Sequence, residues 1–491
     1  MLNFRPIFLV MGVLVAALGV FMLIPMTADL LSPDPLHRAD WSAFAIGAVA
    51  SIMIGGGAAA ASWGNIETMS LRDGFLLTTA TWVALVTFSA IPLALGGLEL
   101  NYVDAFFEAM SGLTTTGSTV VIGLDDAPPG ALLWRSMLQW LGGVGIIIMA
   151  FAVMPALKIG GMQLFKNEAW DTSEKFIANA TNYSISLTMI YIFFTALCFL
   201  MLWAFGMSPF DAINHALTTI STGGFSTKDA SLGAFLTQGR APLDLVVTVF
   251  MLIGSLPFGI FLAAILRGAW KRLFTDSQIQ FFAVMVTVLT LTVMLIVTNV
   301  YDHLSLFTAF RLAIFNVTSI MTGTGFSSTD YDVWGPFAIA FFFCIMFIGG
   351  CAGSTSCGMK VFRLQVAFAA LSVYARRLAH PNGVFVARYN HRPLTDDIFV
   401  SVLSFFFVYF AIFATLSLVL AGLGLDTLTA ISSAGTAVAN VGPGLGSIVG
   451  PAGNFATLPD AAKLALSAGM LMGRLEFFTV LVLLSPSFWR G

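Results

Sequence analysis

Apolar stretches of about 20 residues or more recur from the N-terminal region to the last residues of this chain, separated by short segments that carry Gly, Pro and charge. A helix of that length crosses a hydrocarbon layer of about 30 Å, so the pattern predicts a polytopic helical membrane protein. Helices are predicted over 8–31 and 41–62, followed by four pairs of helices. Between the members of each pair lies a segment too short to span: 104–114, 211–220, 308–320 and 426–438. Each ends in small or hydroxyl residues and reads as a re-entrant half-helix. Three begin at an aspartate (Asp104, Asp211, Asp426), a residue suited to cap a helix N-terminus.

Composition sharpens this picture. Of the 491 residues, 58% are hydrophobic and 10% charged, and the mean hydropathy is +0.91; a soluble domain carries about 25% charged residues. The first apolar run is about twice as long as the core of a cleaved signal peptide, so it reads as a retained helix. The net charge of -3 decides nothing by itself. Placement decides more. The predicted helices put Arg5, Lys158, Lys166, Lys175, Arg267, Lys271, Arg272, Lys360, Arg363, Arg376, Arg377, Arg388, Arg392 and Arg490 on one side. The positive-inside rule makes that side cytoplasmic, with both termini there. The four cysteines (Cys198, Cys344, Cys351, Cys357) lie in apolar helices or beside a glycine-rich break, without metal spacing, and no disulfide is expected.

One short pattern occurs four times: Thr-Thr-Gly-Ser at 115–118, Ser-Thr-Gly-Gly at 221–224, Met-Thr-Gly-Thr at 321–324 and Asn-Val-Gly-Pro at 440–443. Aligned on Gly117, Gly223, Gly323 and Gly442, it recurs roughly every 100 to 120 residues, room for two spanning helices and a half-helix. The expected fold is therefore all-α: an N-terminal two-helix extension (1–73) and four pseudo-fourfold helix, pore-loop, helix repeats at 74–175, 176–273, 274–396 and 397–491.

Irregular backbone survives at membrane depth only where protein buries it or water reaches it, so four such loops must converge. Convergent loops stack rings of carbonyl oxygens that can replace the hydration shell of a monovalent cation. The predicted potassium-type filter comprises Thr115, Thr116, Gly117, Ser221, Thr222, Gly223, Met321, Thr322, Gly323, Asn440, Val441 and Gly442. Past each filter glycine, the second helix carries a small-residue site: Gly142-Gly143, Gly254-Ser255, Gly349-Gly350 and Gly473-Arg474. Arg474 is the exception among glycine and serine. An arginine at mid-helix costs about 2.5–3.5 kcal/mol on insertion scales, so it should face the interior, as a fixed positive charge below the filter. The competing reading pairs it with Glu476 or with helix-end carbonyls. In the third repeat a Gly/Ser-rich segment, with Gly350, Gly353, Ser354, Thr355 and Gly358, interrupts the second helix and is a candidate gate. His215, Arg311 and Glu108, in the half-helices, read as packing or tethering residues.

Together, Thr114-Thr115-Thr116-Gly117, Ser221-Thr222-Gly223-Gly224-Phe225-Ser226, Met321-Thr322-Gly323-Thr324-Gly325-Phe326, Asn440-Val441-Gly442-Pro443-Gly444, the loop from Gly350 to Gly358 and Arg474 resemble the TrkH/TrkG branch of the Trk/Ktr/HKT potassium-transporter superfamily. The likeness covers roughly 74–490, and the two extra N-terminal helices favour Trk over the shorter Ktr type. It implies potassium uptake across a bacterial inner membrane, with potassium bound at the filter glycines and permeation restricted by the loop and Arg474. It implies a homodimer in membrane lipid, each protomer with its own pore. It also implies a cytosolic TrkA-like ring of nucleotide-binding regulatory subunits. No nucleotide motif lies in this chain, so nucleotide belongs to the partner, and no nucleic-acid partner is expected. Four filter glycines favour potassium over sodium. An alternative is a symporter obligatorily coupled to protons or sodium, but few ionisable residues are expected in the core. No acid/base or metal constellation points to an enzyme.

Overall fold

The computed structural model describes residues 3–64, 69–152, 176–236, 242–301, 303–390 and 392–490. Lys158, Lys166 and Lys175, with the end of the first expected repeat, lie outside them. The chain opens with α1 (Phe4–Phe21), α2 (Leu23–Leu30) and α3 (Trp41–Ala61). The antiparallel partners α1 and α3 meet on small residues: a Cβ at Gly12 would lie 2.7 Å from the Ala59 nitrogen, and one at Gly55 2.6 Å from that of Ala16. Such close backbone approach is what small-residue seams permit where lipid supplies no hydrophobic drive.

A common order then recurs: a long helix, a short helix, a buried irregular strand and a further helix, which is in two pieces in the last three units. These are α4 (Leu71–Leu95), α5 (Tyr102–Leu113) and α6 (Pro129–Ala152); α7 (Phe176–Ala204), α8 (Pro209–Ile220), α9 (Leu243–Ser255) and α10 (Phe258–Arg267). There follow α11 (Ser277–Val300), α12 (Leu306–Met321), α13 (Pro336–Ile345) and α14 (Val361–Ala379); then α15 (Asp396–Gly422), α16 (Thr427–Ala439), α17 (Asp460–Arg474) and α18 (Phe478–Leu484). Among the described residues, seven helices are long and apolar enough to cross a membrane, or nine if each sharply bent pair counts as one span. Outward faces expose Met53, Leu295 and Phe407, as lipid contact requires.

The sequence singled out a break in the third repeat alone. The structure bends the second and fourth too: α9 and α10 meet at 89°, and α17 and α18 at 117°. Pro257 accounts for the first bend, because a proline cannot donate to the turn before it. Glu476, at φ +60°, makes the second.

The caps differ from expectation in two places. Asn101 and Ser208 cap α5 and α8 by accepting the N–H groups of Asp104 (2.9 Å) and Asp211 (3.0 Å), so these aspartates sit in the first turn rather than at its start. Only Asp426 is itself the cap, and Ser305 caps α12. The physical logic survives the shift: an acid in the first turn still meets the positive end of the helix dipole.

Buried charges tie neighbouring units around the short helices. Arg135 of α6 donates to the Ser226 carbonyl at 3.1 Å, and Arg311 of α12 grips Asp244 of α9 through two bonds of 2.6 and 2.9 Å. Asp332 accepts from the Gly446 N–H at 2.6 Å, and Lys463 of α17 is paired with Asp104 of α5. Burial pushes the Asp332 carboxyl above the ordinary range, and the Gly446 bond pulls it back. The expectation that the core holds few ionisable groups is therefore corrected; long side chains reach partners on elements remote in sequence.

Candidate ion pathway

Each short helix ends in a strand with two left-handed residues spaced two apart. They are Thr115 (φ +52°) and Gly117 (+90°), Thr222 (+51°) and Gly224 (+78°), Gly323 (+72°) and Gly325 (+84°), Asn440 (+54°) and Gly442 (+114°). A second marker agrees: the N–H groups of Thr116, Gly223, Thr324 and Val441 reach back to the carbonyls of Ser111, Thr218, Ser319 and Thr436, at 2.8 to 3.1 Å. The equivalent glycines are thus Gly117, Gly224, Gly325 and Gly442.

This corrects the alignment taken from sequence. Gly223 stands level with Thr116, Thr324 and Val441, one place early, and Gly323 stands level with Thr115, Thr222 and Asn440, two places early. Both strands carry two glycines, and the order of the left-handed residues with the returning N–H bond distinguishes them. Met321 becomes the last residue of α12, and Ser221 and Thr322 the caps that follow α8 and α12.

The four strands close a ring. A Cβ added at Gly117 would strike the Gly223 carbonyl oxygen, one at Gly224 that of Thr324, and one at Gly325 that of Val441. One at Gly442 would lie 2.9 Å from that of Thr116, which returns to the first strand. Each glycine is thus required twice, for its positive φ and for the close approach of the next strand. Side chains reinforce the closure: Ser118 donates to the Gly442 carbonyl at 2.6 Å, and Asn440 donates from Nδ2 to Thr116 Oγ1 at 2.9 Å.

On one side of the ring lies a polar cavity of about 70 Å³, lined by Gly117, Gly224, Gly325, Gly442, Arg135 and Lys228 among others. Arg135 is held there by Glu108 (2.6 Å), which also accepts from Thr119 Oγ1 (3.0 Å) and the Val120 N–H (2.9 Å). His215 is buried and bonded to the Asp211 carbonyl (2.8 Å) and Ser226 Oγ (3.0 Å), a packing histidine. Arg311 and Glu108 are likewise tethers.

On the other side the small-residue sites have a visible cause. Gly142 and Gly473 lie against the carbonyls of Leu113 and Val438, and a Cβ at Gly254 would be 3.0 Å from that of Ile220, three equivalent short-helix ends. The segment 346–360 separates α13 from α14 and folds back beneath the strands. Its Thr355 N–H donates to the Gly254 carbonyl (3.1 Å), Thr355 Oγ1 to the carbonyls of Gly254 (2.9 Å) and Ile220 (3.0 Å), and Ser356 Oγ to that of Thr322 (2.6 Å). The Gly353 carbonyl accepts from the Phe258 N–H at 2.9 Å. Gly350 lies against Ser255 and Ser356, and Gly358 takes φ +70° to turn the chain back.

Arg474 reaches this loop. It donates to the Thr355 carbonyl (3.2 Å), to Cys357 Sγ and to the Gly142 carbonyl (3.2 Å), joining three repeats. The pairing of Arg474 with Glu476 does not occur: Glu476 is held by Arg363 at 2.6 Å, across the 117° elbow. The carbonyl alternative does occur. A cavity of about 30 Å³ lies here, lined by Gly353, Ser354, Cys357, Lys360, Arg474 and Glu476. Sequence reasoning missed Gln139, Arg135 and Lys463, and it read Lys360 and Arg363 only as charges on the cytoplasmic side. A charge inside an apolar helix was the available signal for Arg135 and Lys463.

Comparison with known proteins agrees with this fold. The sequence model of the TrkH family, described as a cation transport protein, matches residues 41–490. The chain is 45% identical to the Trk system potassium uptake protein TrkI of Halomonas elongata, over 99% of this chain and 97% of that one. It is 36% identical to TrkH of Salmonella typhimurium over the whole of both chains. The crystal structure of the potassium transporter TrkH from Vibrio parahaemolyticus superposes with a TM-score of 0.90 at 34% identity, over the whole of both chains. These are transport proteins rather than enzymes, and they are helical membrane proteins like this one. A full-length likeness at this identity, on top of the fold, leaves one assignment: the chain belongs to the TrkH family of cation transport proteins.

Proposed function

We propose that the chain takes potassium into a bacterial cell across the inner membrane, through the ring of four strands acting as a selectivity filter. The observation that carries this reading is the closed cycle of contacts from Gly117 to Gly224, Gly325 and Gly442. Four buried strands around one axis offer layered carbonyl oxygens to a dehydrated monovalent cation. The repeats at 74–175, 176–273, 274–396 and 397–491 are the units of that pseudo-fourfold ring. The pore-helix C-terminal ends add their negative dipole ends below it.

The loop with Gly350, Gly353, Ser354, Thr355 and Gly358, together with Arg474, is the gate. A guanidinium bonded to the Thr355 carbonyl places a fixed positive charge where a cation must leave the filter. Opening requires this contact to break. The control comes from the cytoplasmic side, where both termini lie, through a cytosolic nucleotide-binding regulatory ring; the Trk system to which the relatives belong supports such a partner. Two copies associate in the bilayer, each with its own pore. An exposed apolar stripe on α14 (Phe368, Leu371, Tyr374, Leu378) is suited to a second copy.

Potassium, rubidium and sodium fluxes into liposomes holding the purified protein, with and without an imposed proton gradient, test the reading. Passive flux that prefers potassium supports it. Strict dependence on the proton or a sodium gradient replaces it with obligatory symport, and equal flux of all three cations removes the filter.

A further inference from the structure

The second helix of the first unit differs from the other three second segments at one aligned position. Three positions before Gly142, Gly254, Gly349 and Gly473 stand Gln139, Met251, Met346 and Met470, so one seam alone carries a polar side chain. Gln139 is fully buried. Its Nε2 donates to the Gly223 carbonyl at 2.6 Å, and its Oε1 accepts from the Phe225 N–H at 3.0 Å. The amide therefore brackets Gly224, one of the four ring glycines.

The bracketed strand is also unusual. At the level of Gly223 the other strands carry Thr116, Thr324 and Val441, each with a side chain, so the second strand alone has consecutive glycines in the ring. Such a pair loses the most conformational freedom on ordering and is the easiest place for a peptide to reorient. A Cβ at Gly223 would collide with the Gln139 amide. Gln139 thus fills the room a side chain at 223 would need and replaces its stiffening effect with two hydrogen bonds.

We propose that Gln139 is a specificity-determining positioning residue, which fixes the carbonyl layer of the second strand so that the ring keeps its fit to potassium; this rests on reading the ring as a filter. A ring free to contract at one strand discriminates less well against the smaller sodium ion. Gln139→Met, which creates the residue pattern of the other seams, is expected to raise the sodium-to-potassium flux ratio on the order of tenfold, given two hydrogen bonds of ordinary strength. Gln139→Glu keeps an acceptor for Phe225 but loses the donor to Gly223, and it should relax the ratio too. Adding Gly223→Thr to Gln139→Met rebuilds the methionine and threonine combination found elsewhere in the ring and should restore the preference.

The measurement is the ratio of sodium to potassium flux in liposomes at equal protein incorporation, with Gln139→Glu standing in if Gln139→Met does not fold. A role in stability alone would lower all fluxes together and leave the ratio at the wild-type value. That result, against a potassium-selective wild type, overturns the inference while leaving the filter in place. A wild type without preference overturns both.

Discussion

Arg474, the last residue of α17, donates through Nη1 to the carbonyl of Thr355 at 3.2 Å, across 119 residues of sequence. The contact joins the fourth repeat's elbow to the third repeat's loop directly beneath the ring. Thr355 in turn holds the kink of the second repeat through Gly254, and Arg474 holds the first through Gly142. Four units that surround one axis are thus cross-linked at a single level.

If this contact is the barrier, Arg474→Ala should raise potassium flux about tenfold, which corresponds to about 1.4 kcal/mol. Rubidium uptake into liposomes at equal incorporation measures it. An unchanged flux would refute the barrier role.

The loop's own anchor gives a milder test. Thr355→Val preserves shape but deletes the hydroxyl that donates to the Gly254 and Ile220 carbonyls. Flux should rise several-fold, since each lost bond weakens the closed loop by about 0.5–1.5 kcal/mol. A decrease, with the protein intact by size-exclusion chromatography, would mean the loop supports conduction rather than obstructing it.

The register of the ring is open to direct comparison. A Cβ at Gly325 would strike the Val441 carbonyl, whereas one at Gly323 has its nearest neighbour, the Asn440 carbonyl, at 3.2 Å. Both residues have positive φ, so backbone strain of about 1–3 kcal/mol is common to the two. Gly325→Ala should therefore lose potassium transport more severely than Gly323→Ala in complementation of a potassium-uptake-deficient strain. The reverse order would restore the alignment drawn from sequence.

The Arg363–Glu476 pair couples α14 to the elbow that carries Arg474. Glu476→Leu alone leaves a buried guanidinium without its carboxylate and should cost roughly 3–5 kcal/mol of stability, whereas Arg363→Met with Glu476→Leu should recover most of it. Thermal unfolding in detergent checks both. In the double variant the elbow is no longer tied to α14, and resting flux should increase; wild-type flux at restored stability would show that the pair only stabilises.

Much of this protein was legible in its sequence because the bilayer allows so few solutions. Spanning runs must be helical, short Gly/Thr-rich segments at that depth must be enclosed, and the repetition at 117, 223, 323 and 442 announced that they meet. Arg474 stood out for the same reason, as a charge in an apolar helix whose counterparts are Gly143, Ser255 and Gly350. What the sequence could not determine was which glycine of two adopts a given role. Gly223 and Gly224 differ in φ and in what they face, and Gly323 and Gly325 in how closely they approach the fourth strand, quantities set by the other three repeats. Partner choice was hidden likewise: Glu476 lies two residues from Arg474 yet binds Arg363, because the elbow turns its side chain away along a direction local spacing does not encode. Local patterning specified the helices and which of them are long enough to span, whereas the closure of the ring, its register and its cross-links depend on surfaces brought together only when the whole chain is folded.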